Sequence, residues 1–248
     1  MKFIYQIRNI YFRYGKGKYL FHNLNCQIQE NKITGIIGPN GAGKTSLLNL
    51  LAGISKPTAG EIIFKGHLLE NYPKIEIAKK IGILFSEYQF VYNYNVWEFV
   101  LIGRYPYIKG LTGFSEEDFK SAEDAMRITN TSKLKSKGIF ELSSGEKQLV
   151  LLAHILAQKP EVLLLDEPFS HLDLKHQIKV IEILKSIKKT IIFVTHNISF
   201  IKQIADEVIL LKKGKILSQG RVRDILTRKN VSNLFDIFFS QINPLSDK

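Results

Sequence analysis

Gly38-Pro39-Asn40-Gly41-Ala42-Gly43-Lys44-Thr45 decides how this chain folds. The octapeptide meets the pattern G-x-x-x-x-G-K-[S/T] at every specified position, and its surroundings are the ones that pattern needs. Ile33-Thr34-Gly35-Ile36-Ile37 in front reads as a buried strand. Ser46-Leu47-Leu48-Asn49-Leu50-Leu51-Ala52 behind reads as a helix. The glycines let the backbone curl until successive N–H groups face one centre, with the positive end of the following helix behind them. Such a loop holds phosphate. In it Lys44 is expected to reach the β- and γ-phosphates of a nucleotide, and the Thr45 hydroxyl to ligate Mg²⁺.

The 248 residues allow one large domain or a domain with an insertion, and 45% hydrophobic residues make the chain globular rather than disordered. Cys26 is the only cysteine, which excludes an internal disulfide framework and fits a reducing cytoplasm. The opening Met1-Lys2-Phe3-Ile4-Tyr5-Gln6-Ile7-Arg8 gathers charge too early for a signal peptide, and no apolar run is long enough to span a bilayer. Work at a membrane would therefore depend on partners. The net charge of +12 invites a nucleic-acid reading. However, only seven of the 35 basic residues are Arg and the lysines are scattered, so no specific nucleic-acid partner is expected.

Working outward from the loop, residues 2–12 and 20–29 read as two alternating strands joined at Tyr14-Gly15-Lys16-Gly17. Tyr14 there could lie against a flat ligand or simply pack. Further strands are expected at Glu61-Ile62-Ile63-Phe64 and Ile81-Gly82-Ile83-Leu84-Phe85, with a short helix around Ile75 to Lys79. Residues 86–144 read as a helical insertion, with a helix opened by Ser115 and aromatics at Tyr88, Phe90, Tyr92 and Tyr94 that suit packing or a docking surface. From Gly145 the pattern returns to alternating elements. A helix from Leu149 to Ala157 leads to the strand Val162-Leu163-Leu164-Leu165, and a helix from Leu174 to Lys188 leads to the strand Ile191-Ile192-Phe193-Val194. Unbroken apolar runs mean strands covered on both faces, hence a parallel sheet between helices. The expected division is a core of residues 1–85 and 145–225, the insertion at 86–144, and a helical tail at 226–248 in which Leu234, Phe235, Phe238 and Phe239 fold back.

Asp166-Glu167 and Thr195-His196 each follow a core strand, the end at which such sheets place ligands. An Asp beside a metal and a Glu able to polarise water suit phosphoanhydride hydrolysis, and an imidazole there could donate to the γ-phosphate. Each pair alone also fits an ordinary strand end. Leu142-Ser143-Ser144-Gly145-Glu146 offers a hydroxyl and free N–H groups at a helix start, a second anion site.

With these motifs in this order, the chain resembles the ATP-binding subunits of ABC transporters over nearly its whole length. The resemblance implies an α/β P-loop NTPase fold, with a mixed sheet core, N-terminal antiparallel strands and an inserted helical subdomain. It implies that Tyr14 stacks on adenine, that Gly38, Pro39, Asn40, Gly41, Ala42, Gly43, Lys44, Thr45 and Ser46 hold the phosphates of ATP, and that Thr45, Asp166 and Ser86 attend Mg²⁺. Glu167, His196 and Lys44 are the catalytic candidates. Ser143 and Gly145 would complete the site of a second ATP-binding subunit, most simply an identical copy, and Asp173, from the Ser170-His171-Leu172-Asp173 loop, is a further nucleotide-binding candidate.

The run Leu101-Ile102-Gly103-Arg104-Tyr105-Pro106-Tyr107 and the Glu after the signature Gly resemble the subfamily serving iron–siderophore, haem and cobalamin importers. That likeness implies polytopic permease subunits as partners, an extracytoplasmic substrate-binding protein acting indirectly, and a place at the cytoplasmic face of the membrane. Importers of free metal ion or another small solute, and a soluble ATPase acting on nucleic acid or ribosomes, are the competing readings.

Two positions depart from the family pattern. Ser144 replaces the signature's second glycine, and Ser86 stands where the family carries a Mg- and water-contacting Gln, with Gln89 and Glu87 as nearby substitutes. Gly145→Asp is expected to block closure of two copies and leave the monomer intact.

Overall fold

The computed structural model describes residues 2–86, 88, 90–108, 110 and 112–237. The chain opens with β1 (Phe3–Phe12) and β2 (Phe21–Gln29), followed by β3 (Ile33–Ile37) and α1 (Lys44–Leu51). Then come β4 (Ala59–Phe64), β5 (His67–Leu68), α2 (Lys74–Lys80) and β6 (Ile81–Leu84). β2, β1, β4 and β5 form an antiparallel sheet in that order.

After β6 come α3 (Val96–Ile102), α4 (Glu116–Ile128) and α5 (Ser144–Ala157). β7 (Val162–Asp166), α6 (Leu174–Ser186), β8 (Thr190–Thr195) and α7 (Ile198–Ile204) then alternate. β9 (Glu207–Lys212), β10 (Lys215–Arg221), α8 (Val222–Ile225) and α9 (Arg228–Phe235) close the described chain. The second sheet runs β10-β9-β3-β8-β7-β6. All its pairings are parallel except β10 against β9, where the turn at Lys213–Gly214 makes a hairpin.

Alternate residues of the central strands enter opposite cores, which is why their sequences are apolar throughout. Leu163, Leu165, Ile191 and Phe193 join the helices α3 to α7 on one face. Val162, Leu164, Ile192 and Val194 join α1 and the antiparallel sheet on the other. Tyr5 is fully buried between the two sheets, its hydroxyl donating to the Leu51 carbonyl at 3.0 Å.

The helical layer rests on one polar pin. Arg104, just after α3, donates through Nε to Asp118 of α4 at 2.8 Å and through Nη1 to the Ala157 carbonyl at the end of α5 at 3.0 Å. Both partners of the ion pair are buried, so removal of either would strand a charge. Tyr107 lies under the Arg104 guanidinium at 3.7 Å and faces Lys79 of α2 at 5.6 Å. α4 starts as expected, with Ser115 and Asp118 in a reciprocal capping box.

α5 starts five residues earlier than its apolar run suggests, at Ser144. The missed signal is another capping box, Ser143 with Glu146, which nucleates a polar first turn ahead of Leu149. At the other end of the chain Leu234 is buried and Phe235 packs against the helical core, as the tail reading requires. Phe238 and Phe239 lie outside the described residues.

Candidate functional site

β3, β7 and β8 are neighbours in register, and their carboxyl ends bring three separated motifs to one edge. The loop from Gly38 to Gly43 leaves β3, Asp166–Glu167 ends β7, and Thr195–His196 ends β8. The loop is held from outside by the β9–β10 hairpin. A side chain at Gly38 would run into the Leu211 carbonyl, and the N–H of Gly214 donates to the Ala42 carbonyl at 3.0 Å. Gly214 has φ +72° and sits against the Leu20 carbonyl with no room for a Cβ, so that brace needs glycine. The sequence marks Gly214 only as a turn, and nothing local reveals what the turn leans on.

Lys44 is buried, and its ammonium donates to the Gly38 and Pro39 carbonyls at 2.9 and 3.2 Å. Burial lowers its pKa, while the negative charges of Glu167 and Asp166 act to raise it. The Thr45 hydroxyl donates to Asp166 Oδ2 at 2.9 Å, and Ser86 Oγ reaches the same oxygen at 3.3 Å. Burial pushes the Asp166 carboxyl above the ordinary carboxylate range. Its Oδ1 is buried without a hydrogen-bond partner among the described residues. An orphaned carboxylate oxygen beside two hydroxyls is a hard, all-oxygen donor set, and it fits Mg²⁺. Ser86 thus touches Asp166 directly, whereas Gln89 and Glu87, its expected substitutes, lie outside the described residues.

Glu167 follows with φ +47°, a costly conformation for a side-chain-bearing residue, held by its N–H to the Val194 carbonyl at 3.1 Å. That twist turns its carboxylate toward the neighbouring strand end. Oε1 meets His196 Nδ1 at 2.9 Å, and Oε2 accepts from Ser170 Oγ at 3.3 Å. Tyr14 is 59% exposed, edge-on to Phe12, and its hydroxyl pairs with Ser46 Oγ at 3.0 Å. Together Tyr14, Asn40, Gly41, Gly43 to Ser46, Ser86, Asp166 and Glu167 line an open cleft of about 790 Å³, large enough for a nucleotide.

Of the expected site residues outside that lining, Gly38, Pro39, Ala42 and His196 belong to the same sheet edge, whereas Ser143, Gly145 and Asp173 lie at other helix starts. Ser143 is the N-cap of α5, Gly145 lies in its first turn, and Asp173 is the N-cap of α6. The expected hydroxyl and free N–H groups at this helix start are partly engaged within the chain. Ser143 Oγ accepts from the Glu146 N–H at 3.2 Å, and Glu146 Oε2 receives the Ser143 N–H and hydroxyl at 3.0 and 3.2 Å. The Ser143 backbone bond is the chief reason that the Glu146 carboxyl is held below its ordinary range.

Ser144 departs harmlessly from the family pattern, since it is the first residue of α5 and has no positive φ that would demand glycine. Gly145→Asp is a poorer probe than expected, because any Cβ at Gly145 would overlap the His176 ring within the same chain. His176, like Gly214 and Gln148, which donates to the Pro168 carbonyl at 2.9 Å, carries no sequence signal of its contact.

The family model described as ABC transporter matches residues 21–170. The petrobactin import ATP-binding protein YclP of Bacillus subtilis is 32% identical over 236 residues, covering 94% of this chain and 92% of that protein. A structure of a proposed metal-chelate type ABC transporter, in an inward-facing conformation, superposes with TM-score 0.83 at 31% identity, covering 96% of this chain and 90% of that one. A dimeric ATP-binding cassette, MJ0796, bound to ADP and Pi after hydrolysis, superposes with TM-score 0.76 at 27% identity, covering 88% of this chain and 99% of that one. With the phosphate loop, the Asp166–Glu167 pair and His196 gathered at one sheet edge, the chain belongs to the ABC transporter family, as an ATP-binding subunit that hydrolyses ATP.

Proposed function

We propose that two copies of this chain face each other head to tail and power an importer of metal chelates of the iron–siderophore, haem or cobalamin type. The separation of the phosphate-facing elements carries the reading: the cleft around Lys44 is built without Ser143 or Gly145, and those residues lie at a different helix end. In this reading each ATP lies between Lys44, Thr45, Asp166, Glu167 and His196 of one copy and Ser143 and Gly145 of the other, while Asp173 lies at the contact between copies. Tyr14 stacks on adenine. Thr45, Ser86 and Asp166 would hold Mg²⁺, which would supply neutralisation of the phosphate charge. Glu167 accepts a proton from the attacking water, and His196, hydrogen-bonded to Glu167, orients that carboxylate and faces the γ-phosphate.

The cargo class rests on the likeness to the petrobactin import protein and the metal-chelate type transporter. No helix among the described residues is long and apolar enough to cross a membrane, so permease subunits would bring the chain to the cytoplasmic face. An extracytoplasmic binding protein would deliver the cargo. Tyr92 and Tyr94, exposed and edge-on to each other at 5.9 Å, offer those permeases an aromatic surface.

The test is sedimentation of Glu167→Gln with ATP and Mg²⁺, followed by transport with the cognate permease. A nucleotide-dependent dimer, and uptake of a ferric chelate that is lost in Tyr92→Ala/Tyr94→Ala while ATP binding persists, are the expected results. A chain that stays monomeric at saturating ATP and hydrolyses it independently of protein concentration would remove the shared site.

A further inference from the structure

We infer that His176 is a positioning residue for ATP hydrolysis, a latch that makes the start of α5 and the loop before α6 move as one body. This rests on the shared-site reading above and adds to it a residue and a linkage. Three observations carry it. The imidazole lies where a side chain on Gly145 would have to go, so ring and glycine are fitted to each other. The same ring is clipped to the loop, with Nδ1 2.8 Å from Asp173 Oδ1, an oxygen that also accepts the His176 backbone N–H at 2.8 Å. The His176 side chain is mostly buried at 17% exposed, while Asp173 beside it is 66% exposed.

The consequence is mechanical. α5 packs on α3 and α4, whereas α6 follows β7 and the Asp166–Glu167 pair. Gln148 of α5 already ties that helix to the Pro168 carbonyl, and His176 adds the tie between the signature turn at Gly145 and Asp173 at the end of the loop. His176 touches both, so Gly145 and Asp173 arrive in fixed relation, and a loss of even about 1 Å in that relation costs on the order of 10²-fold in rate. Ring packing and one charge-accepting hydrogen bond suffice, and His176 need not meet nucleotide.

The experiment uses the full chain, with ATPase measured over a range of protein concentrations so that kcat and KM for ATP are read separately. Nucleotide affinity at low protein concentration is followed with a fluorescent ATP analogue. His176→Ala is expected to keep affinity and KM and to lose about 10-fold to 100-fold in kcat. His176→Gln, which keeps a donor for Asp173, is expected to recover most of that loss. Gly145→Ala is expected to cost far more with His176 present than in His176→Ala, where the methyl enters vacated space, and that non-additivity is a readout a bystander would not give.

Wild-type kcat in His176→Ala, additive effects in the double variant, or joint loss of affinity and thermal stability without rescue by Gln would overturn the latch. Ser143→Ala separates the two levels of the argument. If it lowers kcat while His176→Ala does not, the latch alone is discarded; if it changes nothing, the shared-site reading goes and the latch with it.

Discussion

The starts of α1 and α5 differ in backbone and in chemistry, with Gly43 left-handed at φ +104° and Ser143 extended at φ −64°. α1 begins at Gly43 with no side-chain cap and no acidic residue in its first turn. α5 begins at Ser143 inside a reciprocal box with Glu146. Both helices leave their first N–H groups without intrahelical acceptors. At α1 that debt is left open in a place where Lys44 and Ser46 are buried, so an anion is what completes the fold there. At α5 the chain closes part of the debt itself, Ser143 Oγ accepting the Glu146 N–H, and in the proposed reading the first turn at Ser144 and Gly145 meets the nucleotide of the other copy. The third helical residue, Ser46 in one and Glu146 in the other, thus sets how much of each helix start the chain caps by itself.

The largest effect is expected at the open end. Glu167→Gln keeps the hydrogen-bonding shape and removes the charge that polarises water, so turnover should fall by about 10²–10⁴ while ATP still binds, as steady-state ATPase and nucleotide titration would read. Near-normal turnover would break the claim that the chemistry sits there. Next comes the transplant: Ser46→Glu gives α1 the acid that α5 carries and should lower ATP affinity by about 10²-fold or more, since opposed like charges cost several kcal/mol. Unchanged affinity would show that the α1 start is not reserved for phosphate.

The reverse change is smaller. Glu146→Ala removes the α5 box and should cost about 1 kcal/mol, a fall of about 2–4 °C in Tm by calorimetry. No shift at all would mean that the box contributes nothing to holding the helix.

The smallest effect concerns Asp166 and pH. Burial raises its carboxyl in the folded chain, so the folded state binds more protons than the unfolded one between the ordinary value near 3.8 and the raised one. Stability of the nucleotide-free chain should decline slightly as pH rises through that window. Mg²⁺ should offset the decline, and Asp166→Asn should abolish both effects in thermal melts. A Mg²⁺ response that survives Asp166→Asn would place the cation elsewhere.

What the sequence discloses follows the same division. The phosphate loop was legible because all of its parts are contiguous, and Asp166, Glu167 and His196 because each ends an apolar run whose partners a parallel sheet must align. The start of α5 was missed because the apolar period begins only at Leu149, although Ser143 and Glu146 already spelled a cap. The occupied Ser143 hydroxyl follows from that same pair. Gly214 against Ala42 and His176 against Gly145 were beyond reach, since each contact joins segments remote in the chain and neither residue has unusual neighbours.

The order of strands also sets a timetable for the ribosome. β3, which delivers the phosphate loop, is flanked by β8 and β9, so its first edge cannot be paired until Thr190–Thr195 have been made and its second until Glu207–Lys212 follow. At bacterial or eukaryotic elongation rates that is a wait on the order of ten to thirty seconds, with an apolar strand open on both sides. Unpaired edges are where nascent chains aggregate. A message truncated before the codon for Thr190 would thus leave both edges of β3 without their partners, an aggregation hazard rather than a weaker ATPase.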